Sequence, residues 1–188
     1  VSALRMLHPD LNIAVVSPGD FGAQQALASG ASRILAPGPQ AVEALATSDG
    51  GRVIRPRMTK LPILEQGVDA VFDCVGHTDT IDLALHLLRP GAMLVLVGAA
   101  GKQTVDWSLV WSRELTVQGT INSGPEPALN GRRTMAQVAE WLADDDYRVD
   151  HLVTHTFDID DWQEALSVAS AGPRSHAVKV TLRPGSAA

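Results

Sequence analysis

Three short apolar runs, each ending at or beside a glycine, constrain the fold of this 188-residue chain more than any other feature. They lie at residues 70–74, 93–97 and 115–119. The segments between them are long enough for a helix, which is the connection that neighbouring parallel strands require. The pattern therefore predicts a parallel sheet whose strand ends open onto a ligand.

The rest of the chain alternates in the same way. Further strands are expected at 12–17, 32–35, 153–157 and 176–182, with a possible short one at 52–54. Helices are expected at 21–29, 40–46, 79–88, 108–112, 130–143 and 160–171, the last with Asp158 or Asp160 as its N-cap. Strands alternating with helices indicate βαβ units with right-handed crossovers, and hence the α/β class.

Composition excludes several kinds of partner and site. The net charge of −6 gives no electrostatic footprint for nucleic acid or an anionic membrane surface. No apolar run approaches the 18 residues or so of a membrane span. The single cysteine, Cys74, excludes a disulfide framework and is expected in the core. Since no secretory signal is present and the sequence does not begin with methionine, we expect a cytoplasmic domain, either cut from a longer gene product or numbered from a processed start.

Candidate ligand contacts follow from the sheet. In doubly wound sheets, ligands occupy the crevice at the carboxyl ends of the strands. The residues just beyond the three central runs are 75–76, 98–101 and 120–123. Glycine at these positions would let the backbone approach a ring or a ribose, although a turn alone would also explain it.

The ordered motifs of the chain resemble one enzyme family. GVDAVFDCVG, LRPGAMLVLVGAAG and RELTVQGTINSG resemble the cofactor-binding half of medium-chain, zinc-type alcohol dehydrogenases. LVTHTFDIDDWQEALSVASAG followed by AVKVTL resembles the C-terminal helix and strand of that family, so the likeness covers residues 3–182. It implies a doubly wound, Rossmann-like parallel sheet, and a hydride transfer between an alcohol or carbonyl substrate and a nicotinamide cofactor.

The resemblance also implies roles for individual residues. Those expected to border the nicotinamide are Val97, Gly98 and Ala99. Those expected to hold its carboxamide and ribose are Thr120, Ile121 and Asn122. Val75 and Gly76 would lie along the adenosine and its ribose. Lys179 matches a basic position that reaches the pyrophosphate; alternatively it is a solvated charge on an edge strand.

In the family, cofactor choice depends on the end of the second strand of the sheet. The first strand is missing here, so the corresponding strand is the one expected at residues 12–17. An acidic residue there binds the adenosine ribose of NAD, whereas a small residue with nearby basic groups suits the 2′-phosphate of NADP. Ser17 occupies this position, and Arg33 or the cluster at residues 52–57 could fold near it. Asp20 could instead take the acidic role. The sequence slightly favours NADP over NAD.

Two departures from the family pattern limit the expected function. The chain lacks the G-x-G-x-x-G turn and the first strand before it, so the pyrophosphate loses its usual helix N-terminus. The zinc-binding catalytic domain is also expected outside this chain, which leaves no catalytic residue and no metal ligand here. His151 and His155 flank a run expected to be extended, where they would stand roughly 13 Å apart.

We therefore predict the cofactor-binding part of an NAD(P)-dependent alcohol or carbonyl oxidoreductase. Residues 1–183 form its dinucleotide-binding domain, and 184–188 a disordered tail. Trp107 and Trp111 lie where the family pairs two subunits, which predicts a homodimer, although they could be core aromatics under a loop. One alternative is a non-catalytic nucleotide-binding or oligomerisation module. Another is a methyltransferase-like domain, which would also need a glycine loop.

Overall fold

The computed structural model describes residues 1–57, 59–121, 124–143, 147 and 149–185. The chain divides into two compact units, Val1–Ile34 with Gly124–Ala188, and Leu35–Ser123. No helix in the described part of the chain combines the length and the apolar character needed to cross a bilayer.

The first unit begins with two helices and two short strands. In chain order they are α1 (Ser2–Leu7), β1 (Ala14–Val16), α2 (Asp20–Ala28) and β2 (Arg33–Leu35). Strands β1 and β2 form a two-stranded sheet. The Arg5 guanidinium fastens α1 to the residues that flank this sheet. It donates to the carbonyls of Pro9 and Leu11 at 2.6 Å, of Gly30 at 2.8 Å, and to Ser32 Oγ at 2.9 Å.

The second unit contains the parallel sheet. Its elements are α3 (Pro39–Asp49), β3 (Val53–Ile54), β4 (Ile63–Leu64), β5 (Val68–Asp73), α4 (Thr78–Leu87), β6 (Leu88–Leu96), α5 (Ser108–Ser112) and β7 (Thr116–Gly119). Strand β6 pairs in parallel with β5 on one side and β7 on the other. Strands β3 and β4 form a separate antiparallel pair. The three central strands are those expected from the apolar runs.

One face of the parallel sheet packs on a helix-lined core. Val71, Leu94 and Val117 lie in one row across the three strands and belong to this core. Helix α4 contributes Ile81 and Leu85, which share a face because they are four residues apart. On the opposite face, Phe72 and Met93 remain 47% and 41% exposed. Alternation along the strands thus separates a packed face from an open one.

The chain then returns to the first unit. Its elements are β8 (Pro125–Glu126), β9 (Arg132–Arg133), α6 (Thr134–Leu142), β10 (Val153–Asp158), α7 (Trp162–Ala171) and β11 (Lys179–Arg183), with short 3₁₀ helices at Pro127–Leu129, Asp150–Leu152, Ile159–Asp161 and Gly172–Ser175. Strands β10 and β11 pair in parallel. Strands β8 and β9 form an antiparallel hairpin.

Several expected boundaries were wrong for local reasons. The helix expected from residue 130 begins at Thr134, because Asn130 and Gly131 adopt positive φ of 54° and 79° and close the β8–β9 hairpin. Helix α7 begins at Trp162 with Asp161 at its N-cap, whereas Asp158 is the N-cap of the 3₁₀ helix that leads into α7; neither residue makes a side-chain cap hydrogen bond. The last strand begins at Lys179 instead of residue 176, since His176 has a φ of 52°, which strands do not adopt.

Cys74 was also misplaced. Strand β5 ends at Asp73, one residue earlier than expected, so Cys74 lies in the following turn and is exposed. The buried residue at this strand end is Asp73.

Candidate functional site

Parallel pairing places the carboxyl ends of β5, β6 and β7 side by side. Asp73 pairs with Leu96, and Leu96 pairs with Gly119, so the last residues of the three strands form one row. The turns that follow are residues 74–77, 97–101 and 120–121. The site residues predicted in this unit, apart from Asn122, are therefore brought to one edge of the sheet. Asn122 lies outside the described residues.

The turn after β5 is built around the buried carboxylate of Asp73. Its Oδ1 accepts hydrogen bonds from the amide nitrogens of Val75 at 2.9 Å and Gly76 at 3.2 Å. Its Oδ2 lies 3.3 Å from the same Gly76 nitrogen and 3.1 Å from the Thr80 hydroxyl. That hydroxyl carries one proton, which can go either to Asp73 or to the His77 carbonyl at 2.9 Å.

The turn after β6 lies directly against this first turn. The amide nitrogens of Val97 and Gly98 both donate to the main-chain carbonyl of Asp73, each at 2.8 Å. A β-carbon added to Gly98 would lie 2.4 Å from the carbonyl carbon of Val75 and 2.5 Å from the Gly76 nitrogen. One added to Gly76 would lie 2.7 Å from the Ala100 nitrogen. The two turns are thus in backbone-to-backbone contact.

This contact supplies a reason for both glycines that involves no ligand. Gly76 also has a φ of 78°, a conformation that side chains with a β-carbon rarely adopt. The space that a β-carbon would need at Gly76 and Gly98 is filled by the neighbouring turn. The turn geometry therefore accounts for both glycines, while their contact with a cofactor stays a prediction.

Apolar side chains stand exposed at this edge. Val75 is 62% exposed, Val97 48% and Ile121 91%. We call these three residues the apolar rim. Ala99 and Thr120 are exposed beside it, and the Thr120 amide is fixed by donation to the Leu96 carbonyl at 3.0 Å. Exposed aliphatic groups at the carboxyl ends of parallel strands are suited to cover a flat, partly apolar ring.

Helix α5 presents two tryptophans to solvent. Trp111 is 84% exposed and Trp107 49% exposed, so the alternative that they are core aromatics is wrong. The helix begins at an Asx-type turn in which the Ser108 amide donates to Asp106 at 2.9 Å. This backbone hydrogen bond lowers the pKa of the Asp106 carboxyl. The predicted pairing surface is therefore an exposed segment that begins with an Asx-type turn.

Ser17 and Lys179 belong to the first unit. Ser17 follows β1, and its hydroxyl donates to the Gly19 carbonyl at 3.1 Å. Donation to a phosphate, as the sequence suggested, would require this hydroxyl to rotate away from its own turn. Lys179 begins β11 and is exposed. An aromatic stack links the two segments: the rings of Phe21 and His176 are 4.9 Å apart and nearly parallel.

The basic cluster at residues 52–57 is partly committed to ion pairs. Arg52 lies 3.8 Å from Glu65, and Arg55 pairs with Glu43 on α3. These partners are within the second unit. A 2′-phosphate would have to compete with carboxylates for the two guanidinium groups.

The histidines noted in the sequence do not form a metal site. His151 lies in a 3₁₀ helix rather than an extended run, with its Nε2 2.9 Å from Ser29 Oγ. His155 lies on β10. Within the described ranges, no three His, Cys, Asp or Glu side chains come together as a metal ion requires. Zinc does not fit the residues described here.

Asp73 is a buried residue of the site that the sequence pattern did not single out. No role was expected for its side chain from the sequence, but it is only 5% exposed. The available signal was an acidic residue at the end of an apolar run, three residues before a glycine. Asp79, by contrast, is 91% exposed, as expected for a helix surface.

Comparison with known sequences gives one family. The sequence model described as zinc-binding dehydrogenase matches residues 7–144. L-idonate 5-dehydrogenase of Vitis vinifera is 33% identical over 117 residues, which cover 61% of this chain and 29% of that protein. S-(hydroxymethyl)glutathione dehydrogenase of Paracoccus denitrificans is 29% identical, covering 61% of this chain and 31% of that protein. The match thus spans about a third of these relatives.

Solved structures agree on the fold. An alcohol dehydrogenase from Escherichia coli CFT073, complexed with NADH, has a TM-score of 0.72 at 22% identity, covering 96% of this chain and 47% of that one. A zinc-binding dehydrogenase from Sinorhizobium meliloti 1021 bound to NADP has a TM-score of 0.61 at 18% identity, covering 87% of this chain and 43% of that one. The expected α/β fold with a Rossmann-like parallel sheet is confirmed. The chain spans about half the length of these proteins.

The contact between the two turns can be tested by adding one methyl group. Gly98→Ala should lower the free energy of unfolding by about 3 kcal/mol, because its β-carbon meets backbone atoms that cannot turn aside. Gly101→Ala is the matched control, since a β-carbon there has open space and should cost less than about 0.5 kcal/mol. Urea unfolding measures both. Equal midpoints for the two variants would show that the turns are not in contact.

Proposed function

This chain belongs to the zinc-binding dehydrogenase family, and we propose that it supplies the cofactor-binding part of an NAD(P)-dependent alcohol or carbonyl oxidoreductase. The observation that supports this most directly is the apolar rim, with three exposed aliphatic side chains at the carboxyl edge of a parallel sheet. Ligands of doubly wound sheets bind at this edge. Solved relatives with the same fold are described as bound to NADH or NADP.

The proposed residues divide by the part of the cofactor they would contact. Val97, Gly98 and Ala99 would border the nicotinamide, with Thr120, Ile121 and Asn122 at its carboxamide and ribose. Val75 and Gly76 would lie along the adenosine and its ribose. The cofactor supplies the hydride chemistry when it is bound. The rim side chains would exclude water from one face of the ring, and the turn amides would fix its orientation.

Two further residues are candidate contacts for the pyrophosphate and the adenosine ribose of the cofactor. We propose that Lys179 reaches the pyrophosphate and that Ser17 lies at the adenosine ribose. Preference for NADP rests on the absence of a carboxylate at Ser17 itself, which removes repulsion of a 2′-phosphate. Asp20, in the first turn of α2, opposes this preference and would favour NAD if it turned toward the ribose.

The substrate chemistry would be completed outside these residues. No catalytic residue is assigned in this chain, and we propose that a zinc-binding catalytic domain lies elsewhere in a longer protein. Residues 1–183 would then be the dinucleotide-binding domain. The substrate would be an alcohol or the corresponding carbonyl compound, and the protein would act in the cytoplasm without nucleic-acid or membrane partners. The described residues alone would bind cofactor without catalysing turnover.

A titration of the 188-residue chain tests the cofactor site. We expect saturable binding of NADH or NADPH, followed by nicotinamide fluorescence, with a Kd below about 1 mM. Tighter binding of NADPH would support Ser17 as the determinant of preference. A chain that binds neither cofactor would refute the proposal for this chain and favour a non-catalytic oligomerisation module.

A charge placed in the apolar rim provides the matched comparison. Val75→Asp should weaken NADH binding at least tenfold, because it places a carboxylate against an apolar ring face. Leu166→Asp makes the same kind of change on α7, at a side chain that is 56% exposed and outside the rim. Leu166→Asp should leave the Kd for NADH within about twofold of the parent value. Equal losses of NADH affinity in both variants would show that the apolar rim is not part of the cofactor site.

We also propose that the family pairing surface operates here, through Trp107 and Trp111 on α5. Exposed tryptophans are enriched at interfaces, and a dimer would protect the neighbouring sheet edge. Sedimentation velocity should show a dimer that Trp111→Ala shifts toward monomer, whereas Trp162→Ala on α7, at a side chain 48% exposed, should not. A parent chain that sediments as a monomer at every concentration would contradict the proposal.

A further inference from the structure

The Asp73 side chain is buried, and a buried carboxylate requires compensating interactions. Among the described residues, the buried polar or charged side chains are Asp73 and His86, at 5% and 7% exposed. Burying a carboxylate is costly unless donors compensate for its lost hydration. Asp73 has two such donors in the Val75 and Gly76 amides, and the Thr80 hydroxyl supplies a third when its proton is directed to Asp73 rather than to the His77 carbonyl. All of them belong to the turn or the helix that immediately follows.

The same residue also fixes the neighbouring turn. Its main-chain carbonyl accepts from both Val97 and Gly98 at 2.8 Å. The side chain thus shapes the turn after β5, while the carbonyl anchors the turn after β6. The backbones of the two turns lie so close at Gly76 and Gly98 that a shift of one turn would displace the other.

We propose that Asp73 is a positioning residue for the nucleotide site. Its carboxylate sets the turn that carries Val75 and Gly76 and, through the contact with Gly98, the turn that carries Val97 and Ala99. Two members of the apolar rim therefore depend on one buried side chain. This inference rests on the proposed function insofar as the positioned turns receive a cofactor.

The geometry separates this role from catalysis. Both carboxylate oxygens are directed at donors of the protein itself, and the side chain is almost entirely covered. Asp73 would therefore act through the backbone it holds rather than by touching the cofactor. Helix α4 begins at Thr78, so the carboxylate is also placed near the positive end of a helix dipole.

Three variants test the proposal in the full chain. Asp73→Ala removes both acceptors. Asp73→Asn keeps one oxygen, which can still accept from both amides, but as a neutral acceptor roughly half as strong. Asp79→Ala is the matched control, because it removes an exposed carboxylate from the first turn of the same helix.

Amide hydrogen exchange provides a readout that needs no cofactor. In Asp73→Ala, exchange at Val75 and Gly76 should be at least tenfold faster than in the parent, with faster exchange also at Val97 and Gly98. Asp73→Asn should give an intermediate increase, and Asp79→Ala none. The Val117 amide in β7 serves as an internal reference for global stability. Parental exchange at Val75 and Gly76 in both Asp73 variants would overturn the proposal.

NADH titration provides the second readout. Asp73→Ala should raise the Kd at least tenfold, equivalent to about 1.4 kcal/mol, while Asp79→Ala leaves it within about twofold. An unchanged Kd in a variant with loosened turns would overturn the role in cofactor placement. If Asp73→Ala does not fold, the Kd of Asp73→Asn for NADH tests the proposal in its place. If the parent binds neither cofactor, the proposed function fails, and exchange alone supports or overturns the positioning role.

Discussion

The geometry of the candidate site depends on the hydrogen bonds of one buried residue at the end of β5. The Asp73 carboxylate holds the Val75 and Gly76 amides, and its carbonyl holds those of Val97 and Gly98. A buried carboxylate left without donors would cost several kcal/mol, so the turn and the side chain stabilise each other. The strand ends of β5 and β6 are consequently one connected backbone feature rather than two independent loops.

The contact between the two turns gives Gly76 and Gly98 a structural reason that does not involve a cofactor. Gly76 and Gly98 lack a β-carbon because each turn occupies the space that the other's β-carbon would need. The cofactor hypothesis therefore rests on the apolar rim and on the edge of the sheet where it lies. Val75, Val97 and Ile121 place exposed apolar surface at the strand ends, where the flat ring of a nucleotide would be able to pack against it.

The sequence predicted features that follow from periodicity. Alternation and spacing located β5, β6 and β7 and the residues beyond them, because parallel pairing brings their carboxyl ends together. It did not predict the burial of Asp73, since a carboxylate at a strand end is equally compatible with solvent until its donors are known. The β8–β9 hairpin was missed although Asn130–Gly131 is a strong turn signal, because the helical pattern of α6 was extended backward across it.

The most direct test of the cofactor edge is a map of amide chemical shifts in the ¹⁵N-labelled chain as NADH is added. We expect the largest changes at Val75, Gly76, Val97, Gly98 and Ala99, with Thr120 and Ile121 also affected. Residues of α3 and of the β3–β4 hairpin should change little. Changes concentrated there, with the turns after β5 and β6 unaffected, would contradict the claim that these turns form the nucleotide site.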